Sequence, residues 1–131
     1  MSKPINVDTW SDRPKSMLVK ELMQYTGYSA AEFANILGYS LTYFNNKLSR
    51  NSFSFEDLIF LFYASDIKIS LTDKKNQSVW KTISLEEWFP EDAKQVDNVK
   101  KEYHEKIYEK KRKEYEKLKN ELDSMKELYG F

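Results

Sequence analysis

The stretch Tyr28 to Arg50, YSAAEFANILGYSLTYFNNKLSR, places two helix start signals and a glycine stop inside one short span, so it admits few conformations. Ser29 followed by Glu32 forms a capping box: the serine oxygen serves an orphan N–H of the first turn and the carboxylate reaches back to the cap. Phe33, Ala34 and Leu37 then fall three and four apart on one face. Gly38 supplies the positive φ that ends a helix without a Cβ penalty. Ser40 can cap a second helix in which Phe44 and Leu48 point to a core and Thr42, Tyr43, Asn45, Asn46 and Ser49 face away. The spacing predicts a helix-turn-helix with a short, polar, amide-rich outer face.

These residues resemble the Cro/C1 family of phage and plasmid repressors, whose pattern runs cap, apolar, Ala, apolar, Gly, apolar, Ser and then the recognition helix. Ser29, Phe33, Ala34, Leu37, Gly38, Tyr39, Ser40 and Phe44 match it, and the resemblance spans 14–66. Ala34 fits physically, because a helix crossing close over it leaves no room for a larger side chain. The sequence departs from the pattern at Ala30, where the family often carries a phosphate-contacting glutamine, and at Lys47, where it carries an apolar residue. The resemblance implies a sequence-specific DNA-binding regulator that acts as a dimer, with helix 41–49 in the major groove of double-stranded DNA.

The fold expected is mainly α: a Cro/C1-like helix-turn-helix domain with a small β-hairpin and a long C-terminal helix in a coiled coil. Residues 1–13 read as a flexible arm whose one anchor is Trp10. Residues 14–66 form the helix-turn-helix domain: Pro14 suits the first position of a helix carrying Met17, Leu18, Leu22 and Tyr25 at helical spacing, stopped by Gly27. Ser54 with Asp57 starts a further helix bearing Leu58, Ile59, Leu61 and Phe62. Residues 67–90 hold alternation in Ile67, Ile69 and Leu71 and again in Val79, Lys81 and Ile83, which predicts a hairpin that docks on the helical unit or pairs with a second copy, Ile67, Ile69, Leu71 and Val79 being too apolar to leave in water. Ser84 and Glu87 cap a brief turn that Pro90 closes.

From residue 91 onward no glycine or proline interrupts a run rich in Lys, Glu, Leu and Tyr until Gly130, so one long helix is expected over 91–128. Tyr108, Lys111, Tyr115, Leu118, Leu122, Met125 and Tyr129 follow alternate steps of three and four, a heptad seam. Tyr115, Leu118, Leu122, Met125 and Tyr129 are the expected dimerisation residues. Val96, Val99, Tyr103 and Ile107 keep such steps but run out of phase, which reads as a stutter in the coiled coil.

Lys plus Arg and Asp plus Glu both total 21, so no global field favours or repels nucleic acid. Over 14–66 the bases Lys15, Lys20, Lys47 and Arg50 face the acids Glu21, Glu32, Glu56, Asp57 and Asp66, although 39–55 contains Lys47 and Arg50 and no acid. The chain has no cysteine and a single histidine, His104, so thiol chemistry and a histidine-built metal site are excluded and no cofactor is expected. No phosphate loop or catalytic motif occurs, which argues against an enzyme. With no apolar run of membrane-spanning length and no leader pattern, a cytoplasmic protein without membrane contact is expected.

Asn45 and Asn46 are the residues suited to base edges, since an asparagine amide can pair bidentately with adenine. The alternative is a solvated helix face without a ligand. Tyr43 can pack on a thymine methyl or a sugar, or cover the core edge. Ser40, Thr42, Lys47 and Arg50 can hold phosphates. A second functional class stays open: an interaction or inhibitor protein whose long helix binds another protein and whose helix-turn-helix is autoregulatory. This layout resembles, at the level of architecture only, that of some small phage-borne proteins, including anti-CRISPR inhibitors, which join such a domain to an unrelated C-terminal part.

Overall fold

The computed structural model describes residues 10–130. In order these form α1 (Pro14–Thr26), α2 (Ala30–Leu37), α3 (Leu41–Arg50), α4 (Phe55–Ala64), β1 (Ile69–Thr72), β2 (Val79–Ile83), α5 (Leu85–Trp88) and α6 (Pro90–Tyr129). The architecture is mainly helical, with one two-stranded antiparallel sheet and a long final helix. The chain divides into a compact unit ending at Val99 and a second unit beginning at Lys100. Among the described residues no helix is long and apolar enough to cross a membrane.

Local chemistry accounts for the helix ends. Ser29 and Glu32 form the reciprocal capping box of α2, and Ser54 and Asp57 form that of α4. Gly27 and Gly38 end α1 and α2 in the left-handed region, at φ 76° and 74°. Ser40 accepts a hydrogen bond from the Tyr43 N–H at 3.1 Å and starts α3. Pro90 follows the Phe89 cap that ends α5 and also opens α6, where a missing N–H leaves no helical bond unmade.

The first unit is built around Phe33, Phe44 and Phe53, all fully buried, with Val19, Leu48, Leu61 and Leu85 around them. α2 packs on α3 and α4, and α1 packs on α3 and α4. The inward face of α1 differs from the expected one. Ser16, Val19 and Leu22 are buried, whereas Met17 and Tyr25 are exposed. A polar contact sets that rotation: the Ser16 hydroxyl donates to the Leu48 carbonyl at 2.6 Å and its N–H donates to Asn51 Oδ1 at 3.1 Å. Of the expected arm, residues 1–9 lie outside the described residues. Trp10 lies beneath the Lys20 ammonium, and the Ser11 N–H donates to the Leu48 carbonyl.

The first unit also extends beyond the expected boundary near Pro90, because Ala93 and Val96 on α6 are buried in it. Val96 therefore serves the core of the first unit, which accounts for its being out of phase with the apolar positions further along α6.

The hairpin forms with Ile69 opposite Ile83, Ser70 opposite Thr82 and Leu71 opposite Lys81, and its register shifts between Leu71 and Thr72. Asp73 makes the turn without glycine. Its side chain accepts from the Lys75 N–H at 2.7 Å while Gln77 takes the left-handed conformation at φ 60°. Ile67, Ile69 and Ile83 are half-buried at its root, but Leu71, Val79 and Trp80 are 42%, 58% and 73% exposed. The expectation that the whole apolar set docks on the helical unit is thus corrected. An open cleft of about 350 Å³, lined by Ile59, Phe62, Ile67, Ile69 and Ile83, lies beside the root. In hydrogen exchange the ladder amides should exchange more slowly than 74–77 but faster than α3, in keeping with their few buried contacts. Protection across β1 and β2 equal to that of α3 would contradict this picture.

Candidate nucleic-acid interface

α3 is held at both ends and along one side. Ser40 caps its start; Asn51, at φ 54°, ends it and receives the Ser16 N–H. Phe44 and Leu48 are completely buried, so rotation about the helix axis would expose an aromatic ring. The opposite face presents Thr42, Tyr43, Asn46, Ser49 and Arg50 to solvent, with Ser40 exposed at its head. The Ser49 hydroxyl donates to the Asn45 carbonyl at 3.0 Å, while the Ser40 proton is left as a donor because its oxygen is the accepting cap.

Of the seven residues expected to touch DNA, the structure brings Ser40, Thr42, Tyr43, Asn46 and Arg50 onto this surface. Asn45 is half-buried, and its Oδ1 is enclosed without a hydrogen-bond partner among the described residues. It lies one position past Phe44, so its Cβ leaves the helix along the flank of the core rather than opposite it.

Lys47 is also placed differently. Its side chain is only 13% exposed, and its ammonium lies 3.2 Å from Asp57 Oδ2. It further stands 5.4 and 5.1 Å from the ring centroids of Tyr39 and Tyr43. Those rings meet edge to face at 4.7 Å. The Tyr39 hydroxyl donates to Asp57 Oδ1 at 2.6 Å, and Asp57 Oδ2 accepts the Ser54 N–H at 2.9 Å as the cap of α4. One carboxylate thereby ties the turn before α3, α3 itself and the start of α4. The Lys47 ammonium, expected on the outer face, is instead turned toward Asp57, where a fixed carboxylate offsets the cost of withdrawing the charge from water.

No family model, curated protein or solved structure matches this chain.

The Asp57 network perturbs its own members. Burial acts to raise the Asp57 carboxyl, but hydrogen bonds from Tyr39, Ser54 and Lys47 and the Lys47 charge outweigh it and hold the group below its ordinary value. The Tyr39 hydroxyl is pushed up by burial and by its bond to the same carboxylate. With Lys47 neutralised in this way, Arg50 is the remaining cation on the exposed face of α3. Sequence reasoning missed Tyr39 and Asp57 as partners. The signal was Lys47 itself, three places after Phe44 and one before Leu48, at the edge of the buried face of α3.

In the second unit, Tyr115, Leu118, Leu122, Met125 and Tyr129 are 47–67% exposed along α6. Arg112 is bracketed by Glu109 at 2.9 Å and Glu116 at 2.7 Å. Among the described residues no three His, Cys, Asp or Glu side chains stand close enough to hold a metal ion.

Proposed function

We propose that this protein is a sequence-specific DNA-binding transcriptional regulator of the Cro/C1 type, acting as a dimer through the long C-terminal helix with α3 in the major groove. The observation that carries the reading is the two-sidedness of α3: Phe44 and Leu48 anchor it while Thr42, Tyr43, Asn46 and Arg50 stand exposed in a row. An amide, a hydroxyl, an aromatic ring and a guanidinium are the groups that meet base edges, phosphates and thymine methyls. Asn46 is the base reader in this scheme, Arg50, Thr42 and Ser40 fix the register on phosphates, and Tyr43 packs on a sugar or a thymine methyl. A dimer requires a pseudo-palindromic site with half-sites one helical turn, or a multiple of it, apart.

Selection from a random duplex library at about 0.1 M salt, where screening is already substantial, tests the reading. A palindromic motif should be enriched. On it, Asn46→Ala should lose about 1–3 kcal/mol and lose little on random DNA. Because one exposed cation faces the groove, the salt dependence should be shallow for a repressor, and Lys47→Ala should leave its slope unchanged. The near-neutral face of α3 also favours a second reading, an interaction or inhibitor protein whose long helix binds another protein. Failure to enrich any motif would transfer the assignment to it.

A further inference from the structure

The charges flanking the exposed seam of α6 are arranged with respect to one another. With Tyr108, Tyr115, Leu122 and Tyr129 at the first seam position of each heptad and Lys111, Leu118 and Met125 at the second, the residue before each first position is Ile107, Glu114, Glu121 or Leu128. The residue after each second position is Arg112, Lys119 or Lys126. One flank of the seam therefore carries the acids Glu114 and Glu121, and the other carries only bases. All four of Glu114, Lys119, Glu121 and Lys126 are exposed.

We propose that the occupant of this seam is a second copy of the same helix running parallel and in register, so that Glu114 meets Lys119 and Glu121 meets Lys126 of the other chain. The inference rests on the dimer reading above and adds its orientation. In a parallel pair each flank faces the opposite flank of its neighbour, five residues further on, and each of the two contacts occurs twice by symmetry. In an antiparallel pair each flank faces its own copy, which sets Glu against Glu and Lys against Lys. The pattern is thus attractive in one orientation and repulsive in the other. Lys111, which faces its own copy in the parallel pair, is accommodated because its long stem can carry the ammonium out to water. It marks the end where the seam opens, and the closed part runs from Tyr115 to Tyr129.

Intrahelical pairing accounts for Arg112 but not for the four residues Glu114, Lys119, Glu121 and Lys126. Arg112 binds Glu109 and Glu116, which lie on the outer side of the helix, and neither flanking glutamate takes part. The outer side carries both signs in Lys113, Glu116, Lys117 and Asp123, whereas the acidic and basic flanks are kept separate.

Because the chain lacks cysteine, a single introduced one is a unique label site. Lys113→Cys, Asn120→Cys and Glu127→Cys occupy the outermost position of successive heptads. Each full-length variant would carry one spin label, and the distance between labels would be measured by pulsed dipolar spectroscopy. Parallel, in-register pairing gives the same separation at all three positions. Antiparallel pairing cannot, because successive positions are roughly 10.5 Å apart along the helix and only two can be equidistant from any crossing point. Unequal separations would overturn the orientation and leave the dimer standing; no dipolar coupling, with a monomer in light scattering, would remove both. Glu114→Lys with Glu121→Lys gives an independent check. In the parallel pair it should weaken self-association roughly tenfold or more, and adding Lys119→Glu with Lys126→Glu should restore it. In an antiparallel pair the first double variant exchanges one like-charge contact for another, so unchanged self-association would refute the parallel arrangement.

Discussion

Phe44→Ala is expected to lower the stability of the first unit by about 3–5 kcal/mol, the range for removing a fully buried ring. Phe44 lies between Phe33 and Phe53, with ring centroids 6.5 and 5.4 Å away. None of the three is accessible to solvent, so the cavity would be lined by two aromatic rings that cannot both collapse into it. A domain of this size has about 5–15 kcal/mol in total, so a large part of its margin is at stake. Chemical denaturation of the variant beside Phe44→Leu is the measurement, and the leucine variant should lose clearly less. Since Phe44 and Leu48 are the buried side of α3, the alanine variant should also lose any activity that depends on the opposite face. A loss below about 1 kcal/mol would mean that the core does not centre on this ring.

Asp57→Ala is expected to destabilise by about 3–5 kcal/mol, because it leaves the largely buried Lys47 ammonium without its anion and removes the cap of α4. Lys47→Met in the same chain should recover part of that loss, since the methionine stem fills the space between Tyr39 and Tyr43 without a charge. A double variant as unstable as the sum of the two single variants would show that the pair is not coupled. The same group gives a pH dependence whose sign follows from its lowered pKa. A carboxyl that ionises more readily in the folded chain than in the unfolded one contributes fully at neutral pH. That contribution begins to fade below about pH 4 and is lost as pH falls through the folded value. In Asp57→Asn this acid-dependent part should be absent from denaturation curves taken between neutral pH and pH 3.

The sequence by itself determined the helix starts and stops, the presence of the hairpin and the continuity of α6. All of those signals are local: the caps join residues three apart, as when Ser29 meets Glu32 or Ser54 meets Asp57, the hairpin shows as alternation and α6 as a run without glycine or proline. It also determined that Phe44 and Leu48 face inward, because one helical period leaves them no other shared side. Tertiary structure decided what depends on groups distant in the chain. The rotation of α1 is set by Ser16 against Leu48 and Asn51, and the direction of Lys47 by Asp57. The withdrawal of Asn45 from the outer face, the exposure of Leu71 and Val79 and the burial of Val96 likewise depend on which surfaces happen to lie beside them. A polar side chain at the edge of an amphipathic helix fits either environment by periodicity. Only the position of a partner from another helix fixes its direction, and a one-dimensional pattern does not contain that position.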